Sequence, residues 1–152
     1  MGKFLVVMED DSRESLNAVR YAALRAAHTG WGVQILSIIP EEEFRHWMGV
    51  GDLMRGEAEE RIEAHFEVFA KWMRDRQGVE PELVIREGNA VSEILAQIEE
   101  DSEIGMLVIG AHGTEHDAGP LVTDLIHSHG RLPVPITIIP GDLDRERLER
   151  IT

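Results

Sequence analysis

Five short, largely apolar runs, each set off from the next by a segment of helical period, constrain this chain more than any other feature. They are Phe4 to Met8, Val33 to Ile39, Leu83 to Arg86, Met106 to Ile109 and Pro133 to Ile139. A strand covered on one face alternates apolar with polar residues, whereas a strand covered on both faces is apolar throughout. Between the runs, Leu16, Val19, Ala23 and Ala26 recur at spacings of three and four; Ile62, Phe66, Phe69 and Met73 do the same, as do Val91, Ile94, Leu95 and Ile98. Such spacings put each set on one helix face. Strands that alternate with helices pair in parallel through right-handed crossovers. The expected class is therefore α/β, a three-layer α/β/α sandwich of Rossmann-like or flavodoxin-like type with a five-stranded parallel sheet.

Local signals punctuate these elements. Asp11 or Ser12 is placed to cap the first helix, which ends near Thr29-Gly30, and Pro40 stops the second strand. From Glu41 to Gly56 the pattern is irregular, with Met48-Gly-Val-Gly51 as a mobile loop, and helical period then runs to about Gln77, where Gly78 closes it. Asn89 caps the next helix. After Met106 to Ile109 the strand stops at Gly110 and opens a loop, Gly110-Ala-His-Gly113, which reaches the helix-like stretch Leu121 to Ser128 through Gly119-Pro120. In an open parallel sheet, a strand's carboxyl end followed by a glycine loop and a helix start is where an anion or nucleotide binds. Residues 141–152 read as a polar, helical extension.

At 152 residues the chain is read as one domain, 1–152. Its 15 basic and 29 acidic residues give a net charge of -14, which repels nucleic acid. A bound polyphosphate would need local N–H groups, a basic side chain or Mg²⁺ to offset that field. No apolar run approaches the roughly 20 residues that span a bilayer, and the amino terminus meets Glu9-Asp10-Asp11 before a secretory segment could finish. With no cysteine, disulfides and thiolate sites are excluded. A cytoplasmic protein without nucleic-acid or membrane partners is expected.

The order of these segments, from about Lys3 to Pro140, resembles the universal stress protein family. The first strand with Asp10-Asp11-Ser12, the stretch Arg86-Glu-Gly-Asn-Ala-Val-Ser-Glu-Ile-Leu, the strand and Gly-x-x-Gly loop of Met106 to Gly113, and Pro133-Val-Pro-Ile-Thr-Ile-Ile carry the likeness. The resemblance implies a strand order of 3-2-1-4-5, an adenine nucleotide alpha hydrolase-like arrangement, with a crevice where strands 1 and 4 part company. It implies ATP or another adenine nucleotide with Mg²⁺ as the ligand of nucleotide-binding members. It also implies a homodimer through the last strand, here Val134 to Ile139. By the same likeness Asp10 contacts the base, Ile39 lies near its apolar contact, and Gly110 and Gly113 bring amides to ribose and phosphates.

One departure bears on that ligand. The family pattern sets Gly-Ser or Gly-Thr ten residues after the second glycine, where this chain has Thr123-Asp124. A carboxylate there opposes a polyanion, since like charges 4 Å apart at an effective dielectric of 20 repel by about 4 kcal/mol. Gly119-Pro120 at a helix start and the side chain of His112 are the features that could compensate. Glu9, where the family is usually apolar, adds a second carboxylate at the crevice. The candidate nucleotide site is thus Asp10, Ile39, Gly110, His112, Gly113, Gly119 and Thr123.

Other residues carry less. His112, His116, His127 and His129 stand near Glu115, Asp117 and Asp124, but not at a metal-ligand spacing. Met8, Met48, Met54, Met73 and Trp72 fit core or lid packing, and the acidic stretch Glu57 to Glu67 fits a solvated face. Neither a Ser-His-Asp order, nor a phosphate loop with Lys-Ser/Thr, nor a nicotinamide fingerprint is present. The expectation is a regulatory or protective binding protein without turnover, the alternative an ATP-binding member with slow ATPase activity.

Overall fold

The protein, seen in a computed structural model that describes residues 2–9, 12–41, 51–112 and 118–152, is built on a five-stranded parallel sheet in the order 3-2-1-4-5. The strands are β1 (Lys3–Val7), β2 (Gly32–Ile39), β3 (Glu82–Glu87), β4 (Ile104–Ala111) and β5 (Ile136–Pro140). Helices α1 (Arg13–Thr29) and α2 (Gly51–Trp72) cover one face together with α5 (Arg145–Ile151), while α3 (Ala90–Glu100) and α4 (Pro120–His127) cover the other. Strand side chains supply both layers, because successive residues point to opposite faces. Phe4 and Val6 pack under α1, whereas Leu5 and Val7 pack under α3 and α4. The continuous apolar runs thus mark a sheet with two covered faces, as expected.

Helix α1 buries Ala18, Val19, Ala22, Ala23 and Ala26, while Leu16 is only half-buried. Small side chains let its backbone approach the strands. The Ser12 hydroxyl accepts from Ser15 N at 3.3 Å, and Gly30, left-handed at φ 79, ends the helix. Asn89 caps α3 in the same manner, accepting from Ser92 N.

Several expected boundaries shift. Helical structure in α2 begins at Gly51, earlier than the loop glycines suggested, and its last turn, Met73–Gln77, widens to π geometry before Gly78 caps it. Of Met48-Gly-Val-Gly51 only Gly51 lies within the described residues. β4 does not stop at Gly110 but continues to Ala111, because Gly110 and Ala111 still pair with Ile139 and Pro140 of β5. β5 itself starts at Ile136, three residues later than its apolar run. The segment after β5 is more than a polar extension. Asn17 of α1, 3% exposed, donates its side-chain amide to the carbonyls of Gly141 at 3.2 Å and Leu143 at 2.9 Å, and Leu148 of α5 is buried in the core.

Candidate functional site

β1 and β4 lie side by side, with Phe4 opposite Met106, Leu5 opposite Leu107 and Val6 opposite Val108. From β1 the chain crosses through α1 to β2 on one side, and from β4 through α4 to β5 on the other, over opposite faces. The two connections leave a crevice at the carboxyl ends of the strands, as such a reversal of strand order must.

Two hollows open along this edge, and Glu9 lines both. The larger, about 380 Å³, lies on the β2 side. Met8, Ile39, Ala58 and Ile62 form its apolar wall, and Ser37, Arg61 and His65 its polar one. Ile39 is 4% exposed and packs with Ala58, Met54, Ile62 and Ile85, so its place in the wall is held by α2. The Ser37 hydroxyl donates to the Met8 carbonyl at 3.4 Å across the β1–β2 pair.

The smaller hollow, about 200 Å³, lies on the β4 side, against Gly110, His112, Ala118, Gly119 and the first residues of α4. The His112 amide donates to the Ala118 carbonyl at 2.9 Å. The His112 imidazole Nδ1 donates to Glu14 Oε1 at 2.6 Å. His112 is therefore engaged with a carboxylate of α1, which offsets the charge it could offer an anion. Gly119, with φ 97, precedes Pro120 at the start of α4; its carbonyl accepts from the Thr123 amide at 3.1 Å and the Thr123 hydroxyl at 3.0 Å. The Thr123 hydroxyl is thus turned back onto its own helix, and neither Thr123 nor Asp124 lines the hollow. Gly110 has a role that the loop reading did not include: a Cβ there would collide with the backbone carbonyl of Glu14, so helix packing alone demands glycine.

Asp10 and Gly113 lie outside the described residues. Of the remaining candidates, Ile39 falls in the larger hollow, and Gly110, His112 and Gly119 meet in the smaller one. The sequence pattern missed Arg61 and His65. The glutamates of α2 are indeed exposed, but Ala58, Arg61, Ile62 and His65 recur at three and four along the same helix and face the sheet end. That spacing, with two basic residues inside an acidic run, was the available signal.

These linings accept one part of a nucleotide better than the other. A flat heteroaromatic base fits an apolar wall with a few placed polar groups. Among the described residues the smaller hollow offers backbone amides and the His112 imidazole but no lysine or arginine, and Glu9 lines it, with Glu14 behind His112. Among the described residues no group of three His, Asp or Glu side chains is disposed to hold a metal ion. His127 is exposed, and His129 Nδ1 donates to the Ile126 carbonyl at 2.8 Å. Nor, among the described residues, is any helix long and apolar enough to cross a membrane.

A parallel 3-2-1-4-5 sheet with its crevice between β1 and β4 defines a Rossmann-like α/β protein. Residues 1–138 match the universal stress protein family, and the chain belongs to that family. No curated protein sequence matches it. Among solved structures, the universal stress protein UspA from Lactobacillus plantarum is similar over 91% of this chain and 97% of its own, with TM-score 0.73 and 18% identity. The universal stress protein from Archaeoglobus fulgidus in complex with dAMP is similar over 91% and 98%, with TM-score 0.65 and 19% identity. A universal stress protein in complex with cAMP is similar over 91% and 96%, with TM-score 0.62 and 20% identity. At these identities the likeness is one of fold.

Proposed function

We propose that this chain is a regulatory or protective universal stress protein of the cytoplasm, homodimeric through β5, that takes an adenine nucleoside or its monophosphate and does not turn over ATP. The observation that carries this reading is the contrast between two hollows that share Glu9 in their linings, a roomy one with an apolar wall and a small one that among the described residues holds no lysine or arginine. The base lies against Ile39 and Ile62, with Arg61 and His65 on its polar side; Gly110 and Gly119 border the ribose and the first phosphate. A second and third phosphate meet the carboxylates of Glu9 and Glu14. Two proteins of similar fold are complexes with the monophosphates dAMP and cAMP, which agrees with this choice of ligand.

Calorimetry with AMP and with ATP plus Mg²⁺ tests the proposal. AMP binds with sub-millimolar affinity, and Arg61→Glu weakens it about tenfold or more without moving the thermal midpoint, since Arg61 is exposed. ATP bound more tightly than AMP, with phosphate release above the uncatalysed background, would favour the slow ATPase. No binding of either would reject both.

A further inference from the structure

Away from the crevice, on the sheet face covered by α1 and α2, a second cleft of about 400 Å³ opens between three helical segments. Arg20 of α1, Arg76 of the π turn that ends α2, and Arg145 of α5 line it together. In this acidic chain Arg55, Arg74, Arg86 and Arg150 each hold a carboxylate within 4 Å. Arg20, Arg76 and Arg145 hold none among the described residues. One carboxylate, Glu149, also lines the cleft, one helical turn after Arg145. Three guanidinium groups against one carboxylate make this a cationic recess on a chain of net charge -14.

The recess also has a flat wall. Trp72 is half-buried, with one side packed on the core, and lines the cleft beside Leu24. Arg145 and Glu149 come from α5, beyond residue 138 where the family match ends, and Leu148 anchors that helix in the core at 1% exposure. A segment outside the matched span thus completes the cleft. None of its lining residues is shared with the crevice.

We propose that this cleft is a second ligand site, which takes a small phosphate ester carrying a planar ring. Guanidinium groups match phosphate oxygens through paired, charge-assisted hydrogen bonds. A ring stacks on an indole face with little ordering cost. Size favours a small molecule, because the cleft volume falls at the low end of small-molecule sites and is enclosed by three elements.

Phenyl phosphate is the probe, followed by calorimetry of the full chain. It binds in the millimolar range or tighter, and more tightly than inorganic phosphate, because the ring contributes. Arg76→Gln and Arg145→Gln, both at exposed side chains, each weaken it about tenfold with unchanged thermal midpoints. Arg150→Gln, outside the cleft, leaves binding unchanged. Saturating adenosine, which has no phosphate, does not displace the probe. Absence of binding, binding that survives the Arg76→Gln/Arg145→Gln double variant, displacement by adenosine, or binding of an acidic peptide but not of phenyl phosphate would each overturn the assignment.

Discussion

A side chain at position 110 has nowhere to go, because its first carbon would overlap the Glu14 carbonyl where α1 crosses β4. The same residue lines the smaller hollow, so one glycine serves helix packing and the crevice at once. Gly110→Ala is expected to destabilise the protein by about 2 kcal/mol or more, in the range of overpacked cores, as read from the urea midpoint. An unchanged midpoint would mean that α1 does not pack so closely. The sequence showed Gly110 as a loop glycine because a lone Gly-x-x-Gly says nothing about what crosses above it. His112 and Thr123 teach a similar lesson. Each offers the right chemistry on paper, but His112 is engaged by Glu14 and Thr123 by its own helix. Such partners are distant in sequence or depend on where a helix starts, and neither is visible in a string of letters.

At the scale of elements, strands and helices were legible because burial on two faces leaves continuous apolar runs and helix burial leaves a period of 3.6. The boundaries were less so. β4 extends past its apolar core because a neighbouring strand continues to pair with it, and α2 begins early at Gly51, where glycine argued for a loop. A polar network that no local pattern announces ties α3 to the sheet. Lys3 Nζ lies 2.9 Å from Asp101 and 3.1 Å from Glu82, while the buried Gln34 and Gln97 bond each other at 2.9 Å. Arg86 holds Glu93 at 2.6 Å and Glu100 at 2.9 Å. The hydrogen bond from Lys3 holds the Asp101 carboxyl below its ordinary range, and that from Arg86 does the same for Glu100; the Lys3 ammonium is held above its own. For a carboxylate with a depressed folded value, the stabilisation is complete above the unfolded value of about 4 and is lost as pH falls through the folded one. The raised lysine loses its contribution only on the alkaline side, above about 10.4. Urea midpoints should therefore hold steady near neutrality and fall below about pH 4. Asp101→Asn should flatten that acid limb. An acid limb as steep in the variant as in the parent would contradict the assignment.

For the whole molecule, the net charge of -14 and the exposed edge strand pull in opposite directions. Among the described residues β5 ends the sheet with no strand on its outer edge, and Ile138 on it is 36% exposed. Such an edge invites pairing with a second copy, which would remove the hazard of open association. Light scattering at micromolar concentration should give a dimer. Substituting Ile138→Lys should shift it towards monomer by setting two like charges at the interface, and a parent that is already monomeric would reject the proposal.

The central claim is that the crevice, with Glu9 in the lining of both hollows, welcomes a base and not a polyphosphate. The most direct measurement is the ratio of AMP to ATP affinity, with Mg²⁺ present, in the parent and in Glu9→Gln. The account predicts a parent that prefers AMP, and a variant in which that preference shrinks by about tenfold or more, the equivalent of about 1.4 kcal/mol of relieved repulsion. A ratio unmoved by the substitution, or a parent that already prefers ATP, would contradict it.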